Sequence, residues 1–502
     1  MQETRQHFSS RLGLLLSVLG IAVGTGNIWR FPRIAAQNGG DLGAGAFLLV
    51  WVVFLFLWSV PLIVAEYALG QKGRMGVIGT FARVGGRSMA WLGAFVALVS
   101  TAIMCYYAVV TGWCLYYAGG LLLRPLPGST EAAQQFWDGF QGSLWPVVFQ
   151  ALALGLAVAV IWTGVRAIER ANRFLIPSLL VILLVALVRA LTLEGAFEGV
   201  RYLFTPQWSD LARPRLWLEA LTQNAWDTGA GWGLILTYAA YMRREHGVVQ
   251  NAFLTGVGNN TVSLLAALTI FGTVFAVLGA ELSRAEVLEV MRTSGPASTG
   301  LTFIWLPQLF ARMPMGRVLA VLFFVGLTFA AFSSLIAMVE LATRVLMDLG
   351  LRRSRALVGV GVVAWLLGLP SALNLTVFGN QDFVWGVALM LSGAFVALAV
   401  MRYGPARLRA ETIAVNAWDW QLGRGWDVLM RWVVPLEAVV LLGWWLYQAG
   451  VVYAPERWYD PFVPYSVMTC LVQWGVALVA CYLLNDWLVR RMQLLIPVQT
   501  EE

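Results

Sequence analysis

Two stretches, RLGLLLSVLGIAVGTGNIWRFPRIAA (Arg11–Ala36) and LWLEALTQNAWDTGAGWGLILTYAAYM (Leu216–Met242), decide the fold. Each is long enough to cross a bilayer, which takes about 20 apolar residues. Each also carries a glycine cluster, Gly20, Gly24 and Gly26 in the first and Gly229, Gly231 and Gly233 in the second. Beside the glycines stand polar or charged groups: Asn27 and Arg30, then Gln223, Asn224 and Asp227. Glycine at this density weakens a helix by about 1 kcal/mol per residue relative to alanine, so both stretches are expected to unwind in the middle. Unwound backbone in hydrocarbon leaves N–H and C=O groups without partners, and it persists only where those groups meet a ligand, an ion or a water-filled cavity. Paired interruptions of this kind point to a transport site.

The rest of the chain supports a membrane protein. Hydrophobic residues are 59% of the 502 and charged residues 12%, with a mean hydropathy of +0.72, far from the balance of a soluble domain. Twelve apolar stretches qualify as spans: 11–36, 44–70, 90–120, 145–163, 167–191, 216–243, 251–279, 315–349, 356–373, 378–401, 430–452 and 462–489. They form one transmembrane domain. The longest later connections are 281–312, with Pro296, Pro307 and Pro314, and 403–429; the first has room for short helices packed on the mouth of the protein. Placing the N-terminus inside puts Lys72, Arg74, Arg83 and Arg87, then Arg166, Arg170 and Arg173, then Arg243 and Arg244, and finally Arg352, Arg353 and Arg355 on the cytoplasmic side. The expected location is therefore the plasma (inner) membrane, multi-pass, with both termini cytoplasmic. The net charge of +7 is a topology signal and not a nucleic-acid patch. No cleavable leader is visible ahead of the first span. All four cysteines (Cys105, Cys114, Cys470, Cys481) lie in spans, so no disulfide is expected, and the two histidines, His7 and His246, lack metal-ligand spacing.

If the first and sixth spans correspond, the repeat unit is five spans, about 11–191 and 216–401. An odd number of crossings inverts the second copy, and 430–489 supplies two extra helices. The motifs AVGTGNIWRFP (Ala22–Pro32), Asn38–Gly40, GVRAIER (Gly164–Arg170), YAAYMRR (Tyr238–Arg244), Ser333–Ser334 and Gln381–Phe383, together with Arg11–Gly13, occur in order. In this set the chain resembles the neurotransmitter:sodium symporters, in particular their bacterial amino-acid branch typified by the leucine transporter. The resemblance implies an all-α membrane protein of twelve helices, two inverted five-helix repeats and broken helices 1 and 6. It also implies import of a free amino acid coupled to sodium; a non-transporting sodium and amino-acid receptor of the same fold is the alternative.

Sodium is a hard cation that wants several oxygens. By resemblance, a first sodium site takes the Ala22 carbonyl with the side chains of Asn27, Asp227 and Asn259, and a second takes carbonyls of Gly20, Val23 and Ala330 with the hydroxyls of Ser333 and Ser334. Considered alone, Ser333 and Ser334 read as helix serines bonded to the preceding turn, and Asn259 as glue between helices. Asp227 reads otherwise, because an acid at mid-span costs about 2.5–3.5 kcal/mol on insertion scales and needs a partner. The half-helix beginning at Thr25 and Gly26 presents free N–H groups suited to a carboxylate. Tyr107 matches the family's carboxylate-binding tyrosine. Ala22, Gly24, Ile103, Trp226, Gly229, Trp232, Ser334 and Met338 match the remaining substrate positions. The balance of Trp226 and Trp232 against Gly229 leaves the size of the substrate side chain open. Arg30 and Asp382 match an extracellular gate, and Arg5 and Asp348 a cytoplasmic one supported by Tyr241 and Glu340, with Phe8 where relatives usually carry Trp.

Three departures matter. Asp41–Gly43 read as an insertion after the first span. Trp51 and Ser263 fall near positions that build the chloride site in relatives, and Asp227 replaces the usual Thr or Ser. No chloride requirement is expected, with Asp227 supplying the negative charge. A membrane enzyme would need a nucleophile with a base or a metal cluster, and a channel a continuous polar lining; neither pattern is present.

Overall fold

The computed structural model describes residues 7–292 and 300–493; Arg5 and Pro296 lie outside these. Every one of the twelve apolar stretches carries helix. Among the described residues nine helices are long and apolar enough to span a bilayer unbroken: Gly45–Gly73, Arg87–Leu123, Val165–Leu191, Val249–Leu278, Gly316–Asp348, Arg353–Leu373, Leu375–Tyr403, Arg424–Tyr453 and Val467–Met492. Trp145–Ile161 is a shorter apolar helix, and the first and sixth stretches are each split in two.

Burial separates an inner group of helices from an outer one. In the third span, Arg87–Leu123, 78% of the most apolar window is buried, against 28% in the fifth and twelfth spans. The outer helices turn Leu184, Val188, Leu367 and Leu483 outward, a surface that in water would be a liability and in lipid is the solvated face. The third and eighth spans (Gly316–Asp348) pack most extensively and form a wall against which the broken helices lie.

Two boundaries differ from the sequence expectation. The last span begins at Val467 and not at 462, because Pro461 and Pro464 hold the preceding residues in turns. Residues 130–141, read as a connection, form the helix Thr130–Gln141, capped by the Ser129 hydroxyl, which accepts from Ala132 N–H at 3.2 Å. The connection after the seventh span does hold short helices, Arg284–Arg292 and Gly300–Ala311. The Arg292 guanidinium donates to the Ala36 carbonyl at 3.0 Å, which fixes the first of these over the end of the first span.

The 403–429 connection grips the opposite end of the bundle. Asp419, buried, accepts from the N–H groups of Val248 (2.6 Å), Val249 (2.9 Å) and Gln250 (3.0 Å), so a distant acid caps the seventh span. Glu411 in the same connection accepts from Lys72 at 2.5 Å, from Tyr403, and from Arg407 at 2.7 Å. These partners hold its carboxyl down at about 2, so it stays charged throughout the working range. Asp419→Ala strips three helix-end donors of their acceptor and is expected to cost about 1–2 kcal/mol, read as a lower melting temperature of the purified protein. An unchanged melting temperature would contradict this capping role.

Candidate transport site

The first span leaves helical geometry at Val23 (ψ 92°) and resumes as a π-wound turn, Gly26–Arg30, with a bend of 51° between its halves. The sixth span ends its first half at Asp227 and restarts at Leu234. In between, Gly229, Gly231 and Gly233 adopt φ of +69°, +84° and +75°. Any side chain would strain these conformations by about 1–2 kcal/mol each, so the glycines are here for the backbone path and not for packing alone.

The two breaks face each other. Asn27 Oδ1 accepts from Gly24 N–H at 2.8 Å, and Asn27 Nδ2 donates to Asn259 Oδ1 and Ser263 Oγ, both at 2.8 Å. Asp227 accepts from Gln223 and lies against the bare face of Gly26, where a Cβ would collide with its carboxylate. Asn27, Asn259 and Asp227 are thereby gathered around the first break. Ala22 lies across from Gly229, its Cα 3.8 Å from where a Cβ on that glycine would sit. Tyr107 OH accepts from Thr25 N–H at 3.2 Å at the start of the half-helix. A Cβ on Gly24 would meet the same phenol at 3.0 Å and Ser334 Oγ at 3.1 Å. Gly24→Ala is accordingly expected to lower substrate affinity about tenfold through crowding, with little change in melting temperature. Wild-type affinity in this variant would show that no ligand group lies against this face.

A second group of oxygens lies on the other side of the first span. Ser334 Oγ has its single proton within reach of the carbonyls of Gly20 (3.2 Å) and Ile21 (3.3 Å) and of Ala330 in its own helix (3.4 Å), whereas Ser333 Oγ donates to Ala330 at 3.0 Å. Ser333 thus makes the ordinary bond to the preceding turn, and Ser334 bridges the first and eighth spans. Val23 N–H closes on the Leu19 carbonyl at 2.7 Å, at the edge of the break.

A cavity of about 560 Å³ begins at Ile21, Ser334 and the first break and runs out between the spans. Gly24, Gly26, Trp226, Asp227, Gly229, Trp232, Ser334 and Met338 line its inner part, and Arg33, Arg215, Glu219, Asp382, Tyr453 and Tyr465 its outer part. Trp226 and Trp232 meet edge to face at 6.1 Å, and Arg30 stacks over Trp226 at 5.0 Å. Ile103 is fully buried and does not line the cavity. Arg30 and Asp382 both face the space, and among the described residues no ion pair joins them.

The far side is packed shut. Phe8 is fully buried, with its N–H on the Tyr241 carbonyl at 3.2 Å. Tyr241 OH donates to Glu340 at 2.8 Å, and Arg353 pairs with Glu340 at 2.6 Å. Asp348 pairs with Arg344 at 3.0 Å and accepts from Gly76 N–H at 2.6 Å; its expected partner Arg5 lies outside the described residues.

The sequence reading passed over Glu66. This side chain in the second span is fully buried, and its two oxygens accept from Gly231 N–H (2.6 Å) and Leu236 N–H (2.9 Å), holding the unwound part of the sixth span. The signal was available, since an acid within an apolar span demands a partner by the same rule that singles out Asp227. The outer residues Arg33, Arg215 and Glu219 were also missed, because nothing in their local sequence marks them as facing one cavity.

A family model described as the sodium:neurotransmitter symporter family matches residues 5–138 and 140–493. An uncharacterized sodium-dependent transporter of Methanocaldococcus jannaschii is 29% identical over 460 residues, covering 89% of this chain and 88% of its own. One from Bacillus subtilis is 28% identical over 455 residues, covering 86% and 96%. The crystal structure of MhsT in complex with L-phenylalanine superimposes with a TM-score of 0.75 at 29% identity, covering 87% of this chain and 99% of that one. With the match running nearly end to end, over an all-helical fold whose first and sixth spans both break at one cavity, the chain belongs to the sodium:neurotransmitter symporter family, whose members are sodium-dependent membrane transporters and not enzymes.

Proposed function

We propose that this protein imports a free amino acid together with sodium by alternating access, and that it does so without chloride. The observation that carries the reading is the convergence at the first break: Asn27, Asn259 and Asp227 are gathered on one side of Gly24–Gly26, and Tyr107 with the half-helix N–H groups on the other. A hard cation suits the oxygens. A carboxylate suits the phenol and the helix N-terminus. Backbone carbonyls at the breaks are acceptors for the substrate's ammonium group, and Ala22 stands among the residues lining the cavity there. Gly20, Val23, Ala330, Ser333 and Ser334 form the second cation position in this reading. MhsT was solved with phenylalanine, and the two tryptophans that line the cavity along with Gly229 offer an apolar wall of the kind a large side chain needs.

The cavity lies open on the Arg30 side and is packed at the Tyr241 side, which is the arrangement of an outward-facing state with the termini cytoplasmic. Closure brings Arg30 toward Asp382 above the tryptophans, and release requires parting Tyr241, Glu340 and the start of the first span, with Arg5 and Asp348 as the outermost cytoplasmic pair. The repeats 11–191 and 216–401 supply the two moving halves.

Because substrate carboxylate and first sodium share a site, each should tighten the other by the same factor. Melting the purified protein against a panel of amino acids in sodium and in potassium tests this, since a ligand stabilises by mass action. One or more amino acids should stabilise strongly in sodium only, and equal stabilisation in both salts would refute the reading. Uptake into proteoliposomes then distinguishes a transporter from a receptor.

A further inference from the structure

Between the first and fifth spans runs a buried polar seam that the proposed site does not use. Asn172 is fully buried, and neither its Oδ1 nor its Nδ2 has a hydrogen-bond partner. Its Oδ1 points at Gly20, 2.6 Å from where a Cβ on that glycine would stand, and Ser333 Cβ lies 3.1 Å from the same point. Ser17, 1% exposed, likewise has a hydroxyl with no partner. On the first span, positions 13, 17 and 20 fall on one face by helical spacing. Gly13 on that face lies against Glu169, and Gly20 against Asn172, so Ser17 stands between them. Glu169 in turn accepts from Ser9 N–H (2.7 Å), Ser9 Oγ (2.6 Å) and Ser10 Oγ (3.1 Å) and pairs with Arg173 at 2.6 Å at the packed end of the bundle. The seam therefore leads from Gly20, past Asn172 and Ser17, to an acid at the sealed side.

Two buried, partnerless oxygens in a row are costly, and native proteins keep such groups where water or an ion uses them. An amide oxygen and a hydroxyl are hard donors of the type sodium prefers, and glycine at positions 13 and 20 makes room for Glu169 and Asn172 to lie directly against the first span. We propose that Asn172 and Ser17 form an oxygen station below the second cation position, contacting sodium there and receiving it as it leaves toward Glu169. This rests on the reading of Gly20, Val23, Ala330, Ser333 and Ser334 as a sodium site.

The test is a sodium titration of the melting temperature of the full-length protein without amino acid, at constant ionic strength with potassium. Asn172→Leu, similar in volume but without the amide, should raise the sodium midpoint about tenfold, and Ser17→Ala about threefold. Asn172→Asp keeps an oxygen and should hold the midpoint at or below the wild-type value. A purely structural role would move the melting temperature in potassium and sodium alike and leave the midpoint in place. If Asn172→Leu does not fold, Ser17→Ala and Asn172→Asp decide the matter. Unmoved midpoints in the variants against a normal wild-type response overturn this inference alone. A wild-type protein with no sodium response overturns the functional reading and this proposal with it.

Discussion

Asp227→Ser is expected to cut sodium-driven uptake roughly a hundredfold in chloride-free medium while wild-type uptake persists when gluconate replaces chloride. Asp227 is 5% exposed, sits beside the bare face of Gly26, and has Gln223 donating to it. In the proposed site it is the negatively charged side chain that the protein itself places next to the first sodium. Removing one partner of a buried charge pair costs about 3–5 kcal/mol, and 1.4 kcal/mol is tenfold, so a hundredfold loss is the lower end of that range. The serine variant leaves a hydroxyl near Ser263, which already accepts from Asn27 at 2.8 Å. Two hydroxyls and an amide are fitting ligands for a small anion, so added chloride should restore part of the lost uptake. A wild-type protein that stops transporting in gluconate would refute the assignment of the charge to Asp227.

The second large effect is expected at Glu66, through the backbone it holds. With Glu66→Ala the N–H groups of Gly231 and Leu236 lose the carboxylate that accepts from them inside the span. Each buried donor left without a partner costs about 1–3 kcal/mol, for a total of roughly 2–6 kcal/mol. The Trp232 side chain stands between those two donors in sequence and lines the cavity, so substrate affinity should fall along with the melting temperature. Glu66→Gln keeps one carbonyl oxygen and replaces the other with a donor, and its effect should be intermediate. A melting temperature and an affinity both unchanged in Glu66→Ala would show that the unwound segment is held by other contacts.

Much of the architecture was legible in the chain because hydrophobicity is a local property. A bilayer requires long apolar runs, and the twelve runs coincide with helices whatever their neighbours do. Glycine clusters beside Asn27 and Asp227 marked the breaks for the same reason: the cost of glycine in a helix and of polar groups in lipid is set by the residue itself. The helix Thr130–Gln141 escaped because its apolar face packs only part of its surface, and the run is too polar to register as a span. Whether a helix face meets a cavity or a neighbouring helix, as at the fully buried Ile103, depends on rotation and packing that no short segment encodes.

What the sequence by itself determined is the membrane class, the number of apolar runs and the two places where helix must fail, all consequences of solvation and backbone propensity. Only the tertiary structure decided which polar groups meet. It set Glu66 on the unwound backbone of the sixth span, Asp419 on the start of the seventh, Arg353 on Glu340, and Asn172 on the bare face of Gly20. Such pairings join residues far apart in the chain, and their geometry follows from how whole helices cross, so the residue types show that a partner is needed but not which one it is.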